Sequence, residues 1–480
     1  MFINKSKRFF TVIILLLLLS TTAWSATIIV DRDNDSGNGF CTLRQAVLSA
    51  NFNLALAGCQ AGEDNVVDEV VIDVAGPILL TQGEIPVFGA LRITINSGQL
   101  VRIKAAPDSR IFNVNSPDAN DNNFSIYNLS LTDGNAGTEN GGAILIEDAG
   151  EVAILNSWFL NNSAENGGAI YGNGSTVENF TLFNTQFINN GASNTGGALY
   201  GQNLVGAGLL NINQNVFKDN FAQFGGAIYL SEGFDTITFL NNKFTGNIAS
   251  DSGGGVFLSG LSGGQTFDMD SSLFYNNQAV DSGGAIRLFP STTRLNLINS
   301  TLSHNYADYG GAISNTGGNL QVSTSTFVYN FAQTGGANFH TSTQSINSIG
   351  HSIVAHPIGQ SNCGGVTTLF YSNGANVSDD VSCGFNEPSD TMGDPHLTGL
   401  VEVQSSYGYY PTVYSPALDN SQEVLGLCLD SSSAAIMVDQ LGTPRDMDGD
   451  GDGIGECDAG AIEAFANTDL IFYDSFGVDD

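Results

Sequence analysis

A two-part signature returns about every 28 residues through the middle of the chain. One part is Gly-Gly followed by small and apolar residues, starting at Gly141, Gly167, Gly196, Gly225, Gly253, Gly283, Gly310 and Gly335. The other is a large apolar residue with Asn three positions on: Phe159/Asn162, Phe187/Asn190, Phe217/Asn220, Phe244/Asn247, Phe274/Asn277, Leu302/Asn305 and Phe327/Asn330. Ala stands two positions after each of those Asn residues, from Ala164 to Ala332. A fixed period in this range makes a chain stack one unit on the next rather than collapse around a single centre.

Within a unit the short runs alternate between apolar and polar, as in Val152–Asn156, Phe180–Phe183 and Thr236–Leu240. Period-2 alternation in Thr, Val, Ile and Phe reads as half-buried strand, and no run is long enough at helical period to compete. Two or three short strands with tight corners per period predict one turn of a parallel β-helix, successive turns lying about 4.8 Å apart. The expected fold is all-β, a single-stranded right-handed parallel β-helix with a helix-containing N-terminal cap and a C-terminal cap. In that geometry the Gly pairs supply corners at positive φ, and the Phe positions stack up the bore. The Asn residues tolerate the left-handed region and pair amide to amide between turns. Sugar-binding amides or anion-binding Gly corners are the functional alternative. A residue present in every turn is better explained by the turn than by one site.

Lys5, Lys7 and Arg8 precede an apolar run from Phe9 to Leu19, and Ala23-Trp24-Ser25 follows. Residues 1–25 therefore read as a secretory signal peptide, too short in its apolar core for a membrane span. No later segment is apolar enough to cross a membrane, so no transmembrane segment is expected after signal removal. The formal net charge is −34, with 14 Lys and Arg against 48 Asp and Glu. Nothing basic gathers to hold phosphates, which excludes nucleic acid as a partner. The six cysteines all lie outside the repeats and suit an oxidising compartment. Proximity along the chain favours Cys41–Cys59, Cys363–Cys383 and Cys428–Cys457, with free buried thiols as the alternative.

An open β-helix leaves unpaired strand edges at its ends. Thr42 and Gln45 have capping-box spacing, and Leu43, Ala46, Val47, Ala50 and Leu54 form one apolar helical stripe, a plausible lid. The expected organisation is cap and irregular first coils over 26–115, regular repeats over 116–355, final coils and C-terminal cap over 356–465, and an acidic tail over 466–480. Cys41-Thr-Leu-Arg44-Gln-Ala46-Val, followed by Ala50-Asn51, resembles the CSLREA motif of exported β-helix proteins, departing from it at Thr42 and Gln45. The Gly-Gly-Ala-Ile and Phe-x-x-Asn pairs resemble the polymorphic outer-membrane protein repeats. Ser415–Asp419, Asp439–Arg445 and Cys457–Glu463 are similar to the closing region of the same exported proteins. The resemblance implies a secreted or cell-surface β-helix and assigns no chemistry. Relatives built as autotransporters end in an outer-membrane barrel with strands of about 10 residues. The 15 residues after Phe465 leave no length for one, so self-insertion is not expected.

Asp446, Asp448, Asp450 and Asp452, followed by Gly453, match the first half of a calcium loop. With Asp448 as its first ligand the Gly falls where the loop needs it, but Ala459 stands where a bidentate Glu would be. Calcium is the expected cofactor, with a solvated turn as the alternative; Asp31, Asp33 and Asp35 are a weaker candidate. Asp251, Asp281 and Asp308, each two residues before a Gly pair, should align along one edge. His340, His351 and His356 gather in sequence. Glycoside hydrolysis needs carboxylates facing across a groove, and uronate elimination needs a base and cations. Between Phe124 and Gln344 the Lys and Arg residues are Lys218, Lys243, Arg287 and Arg294. No catalytic set emerges. The expected function is a secreted or surface scaffold for adhesion or for binding a glycan or surface protein, without catalysis. A polysaccharide-degrading hydrolase or lyase is the alternative, since parallel β-helices host many.

Overall fold

The computed structural model describes residues 26–36, 39–96, 98, 100–116, 123–173, 177–202, 208–231, 236–260, 266–289, 293–341, 345–365, 370–403, 406–420, 427–430, 432–449 and 454–464. Each regular turn holds four short strands, one or two more than the sequence suggests. In one turn these are Asn179–Phe183, Gln186–Ile188, Gly191–Thr195 and Leu199–Gly201. Each strand pairs in parallel with its equivalents one turn before and after, as Phe187 does with Phe159 and Phe217. Among the described residues this builds sheets of 13, 13, 11 and 7 strands, a β-solenoid. We call them, in order round the turn, the long-strand, phenylalanine, alanine and tyrosine sheets. The alanine sheet, with seven strands, is the extra one: bulges between its neighbouring strands break the alternation that would have revealed it.

The stacking expected from the period is present. Ring centroids of Phe159, Phe187, Phe217, Phe244 and Phe274 follow one another at 4.8, 4.9, 4.9 and 4.5 Å, the rings nearly parallel and fully buried. Beside them runs the Asn ladder. The amide nitrogens of Asn162, Asn190, Asn220, Asn247, Asn277 and Asn305 each donate to the next turn's Asn oxygen at 2.9–3.0 Å. Each also donates to a backbone carbonyl of the turn before, as Asn190 does to Phe159. A second ladder, unread in the sequence, runs through Ser157, Thr185, Asn215 and Asn242. Each of the last three accepts from the backbone N–H of the residue before it in that series. Its signal was available: a Ser, Thr or Asn two positions before every Phe.

One assignment moves. The ladder Asn residues are not left-handed; the residue just before each is, as at Asn161, Asn189, Asp219 and Asn276, with φ between 54° and 56°. The ladder amide must aim along the stack, so the corner strain passes to its neighbour. The Gly pair also divides its labour. Gly196 sits at φ 63°, while Gly197 is needed for space: a Cβ there would lie 2.1 Å from the Gly226 carbonyl of the next turn.

At the N-terminal end, α1 (Leu43–Phe52) packs against the first strands of the long-strand and tyrosine sheets. Thr42 caps it by accepting from the Gln45 N–H, and Leu43, Ala46, Val47 and Ala50 are buried in the core. Leu54 is exposed, because Asn53 turns left-handed and ends the helix before the stripe reaches it. The segment 395–464 lies against the rod's flank. Arg445 donates to Asn299, Thr301 donates to Gln440, and the hydroxyls of Ser303 and Tyr409 meet at 2.8 Å, across 106 to 146 residues of chain. These contacts fall on the outer face of the phenylalanine sheet, several turns back from its end. We call this segment the brace. Cys41–Cys59, Cys363–Cys383 and Cys428–Cys457 are bonded. No described helix is long and apolar enough to cross a membrane, which says nothing of β-barrels.

Candidate functional site

Of the acidic loop, Asp446 is exposed and Asp448 half-buried, whereas Asp450 and Asp452 lie outside the described residues. Two carboxylates reach the loop from elsewhere: those of Asp419 and Asp458 approach the Gly449 backbone. They are already engaged, Asp458 by the N–H groups of Asp419 and Ala464, and Asp419 by that of Glu456. Among the described residues no group of three or more His, Cys, Asp or Glu is placed to hold a metal. Asp35 serves a structural clasp. Arg44 holds both its oxygens, and the N–H groups of Thr81 and Gln82 donate at 2.7 and 2.9 Å.

The three His residues separate. His340 lies on the tyrosine sheet near Tyr309. His351 is buried beneath the brace, its pKa pushed down to about 4 by burial and then by Arg445. His356 faces Asp379 and Asp394. The sequence brought them close only along the chain.

The Asp column forms: the bridges Ser252 to Ser282 to Tyr309 set Asp251, Asp281 and Asp308 one above another. Facing them across the Gly corner is the outward column of the tyrosine sheet, which sequence reasoning missed. It runs Tyr171, Tyr200, Tyr229, Phe257, Arg287, Ser314, His340 in unbroken register. The aromatic part stacks at 4.8, 5.4 and 5.1 Å between centroids. The position after Gly-Gly-small-apolar carried the signal. At Arg287 the column turns ionic. Burial lowers the guanidinium pKa, and Asp281 and Asp251 oppose that. Burial likewise lowers His340, with Arg287 pushing the same way and Asp281 against. The result is a notch holding a cation, two carboxylates, an imidazole and the Tyr309 phenol.

A different chemistry occupies the corner between the long-strand and phenylalanine sheets. Asn128, Asn156 and Asn184 stand there at φ 58°, 49° and 48°, and the Asn184 amide donates to Asn156 at 2.8 Å. Beside them Trp158 projects outward, 38 % exposed. Together with Gly98, Leu100 and Gln186 they line a cavity of about 350 Å³ without one ionisable group.

Residues 184–202 match the Chlamydia polymorphic membrane protein repeat. That stretch carries Phe187, Asn190 and the Gly196–Gly197 corner, three of the four strands of one turn. No curated protein matches the chain.

Proposed function

We propose that this chain is a secreted or cell-surface rod that binds an extended polymer or a surface protein along its flank and does not cleave it. The supporting observation is the set of outward columns, one equivalent side chain per turn, held in register by backbone ladders. Such columns set side chains at one-turn intervals along one line, which suits an extended ligand. The repeat match and the disulfides favour placement outside the cell, as does the resemblance of Cys41–Val47 to the CSLREA motif. Purified protein incubated with neutral and acidic polysaccharides, and with whole cells, should be retained by at least one of them without releasing reducing ends or unsaturated products. Turnover of any of them overturns this reading.

The Arg287 notch favours a second reading, cleavage of an acidic polysaccharide. Arg287 would neutralise a uronate carboxylate, neutral His340 would take the adjacent proton, and the Tyr309 phenol would protonate the glycosidic oxygen as its C–O bond breaks, leaving an unsaturated sugar. Under that reading activity appears on polygalacturonate or alginate, peaks above the lowered His340 pKa, and vanishes in both Arg287→Ala and His340→Ala.

The acidic loop remains a proposed calcium site, supported by the spacing of Asp446, Asp448, Asp450 and Asp452. Adding calcium should raise the melting temperature, and Asp448→Ala should remove the increment. An unchanged melt with calcium or chelator disposes of the site.

A further inference from the structure

The amide corner around Trp158 has three properties that seldom coincide on a structural surface. First, the indole stands in an outward column of the phenylalanine sheet between Ser130 below and Gln186 above. It is 38 % exposed and lines the cavity, whereas Phe187 and its kin are sealed in the bore. An exposed Trp forfeits the stabilisation that burial of its area would give. Nothing in the coil requires it, because the equivalent positions above hold Gln186, Val216 and Lys243. Second, the polar groups beside it are amides with spare capacity. Asn184 donates to Asn156, which leaves the Asn156 nitrogen and the Asn184 oxygen pointing out of that bond. The Asn128 and Gln186 side chains make no hydrogen bond among the described residues. An amide offers donors and acceptors together, the match for a hydroxyl that must both give and receive. Third, the lining is neutral. Arg102, one turn below Ser130 in the same column, is occupied by Asp133 and Thr132, so no free cation awaits an anion.

An apolar platform beside paired donors and acceptors, with no charge, is the complement of a neutral sugar ring: a C–H face on one side and hydroxyls around the edge. At about 350 Å³ the cavity sits at the small end of ligand sites, which run from roughly 300 to 1,000 Å³. That is room for a short stretch of a saccharide rather than a folded protein. The strongly acidic chain, at −34, would itself repel uronates and sulfated glycans. The brace covers the same sheet further along, from Thr301 to Val377, but leaves the turn of Trp158 open.

We infer that Trp158, with the amides of Asn128, Asn156, Asn184 and Gln186, forms a binding site for a neutral saccharide, the indole stacking on the ring and the amides taking its hydroxyls. This rests on the polymer-binding reading above and names its ligand class and place.

The chain has two Trp residues, Trp24 and Trp158. In a full-length Trp24→Phe variant the fluorescence therefore reports Trp158 alone. Cello-, chito-, manno- and xylohexaose are titrated in turn, with hexagalacturonate as the acidic control. The expected result is a saturable blue shift or quench with at least one neutral hexaose and none with hexagalacturonate. Asn156→Gly and Asn184→Gly keep the left-handed backbone while deleting the amides, and each should weaken binding roughly tenfold at an unchanged melting temperature. Trp158→Ala should weaken retention on the matching insoluble polysaccharide by a similar factor. No spectral change with any neutral hexaose overturns the inference, as does an equal response to hexagalacturonate. Retention of a polysaccharide undiminished in Trp158→Ala also overturns it while leaving the polymer-binding reading standing. Retention of no polymer or cell at all removes that broader reading instead.

Discussion

At the scale of single residues, repetition multiplies the cost of error. Asn220 accepts from the Asn190 N–H and amide and donates to Phe187 and Asn247, all inside the wall. Asn220→Ala would leave several of these groups buried and unpaired, for a loss of roughly 2–4 kcal/mol. Denaturant unfolding should show it, whereas outward-facing Thr181→Ala should stay within about 0.5 kcal/mol. Gly197 is stricter. No backbone adjustment confined to one turn can clear a methyl from the Gly226 carbonyl, so Gly197→Ala should yield insoluble or unfolded protein by far-UV circular dichroism. The roles of Phe187, Asn190 and Gly196 were legible because they recur. Trp158 was not, since it occurs once in the repeats and alternation says only that it faces outward.

At the scale of elements, the weak points of the rod are its ends. The helix α1 covers the first turn, and its position depends on Arg44, which spans Asp35 and the carbonyls of Gly83 and Glu84. Arg44→Ala leaves the buried Asp35 carboxylate without its cation, held only by the Thr81 and Gln82 N–H groups, a change that costs about 3–5 kcal/mol when such a pair is broken. The expected outcome is a lower first melting transition and concentration-dependent association on size exclusion, as the Thr27–Val30 edge becomes available for pairing. The helix itself was readable from Thr42 and its apolar stripe. Its stop at Asn53 was not, because a lone left-handed residue leaves no periodic trace.

At the scale of the whole molecule, the brace ties turns that are far apart in sequence. Its anchor is Arg445, fully buried among Glu463, Asp439, Asp458 and Asp270, with Asn299 of the rod in contact. Burial pushes the Asp458 and Glu463 carboxyls well above the usual carboxylate range, and the Asp458 charge pushes Glu463 further the same way. Both stand above the ~4 of an unfolded chain. The folded brace thus retains protons that the unfolded segment gives up, and its stability falls as pH climbs from about 4 into the alkaline range. Limited proteolysis and hydrogen exchange over residues 432–464 should show progressive loosening across that window. Glu463→Gln, uncharged throughout, should flatten the dependence; an unchanged slope would place the titration elsewhere.

The sequence alone determined the stack: a 28-residue period of Phe, Asn and Gly fixes what lies above what, because each turn can bury its apolar face only against a near copy of itself. It determined that the inner column would be Phe and that an amide ladder would run beside it. The tertiary structure alone decided which outward positions become surfaces. The Asp251–Arg287 notch, the Trp158 corner and the brace over Thr301 each join residues from different turns or from 106 or more positions apart. Such contacts depend on where corners fall around the rod, a matter of a few left-handed residues per turn, and no period in the chain records them.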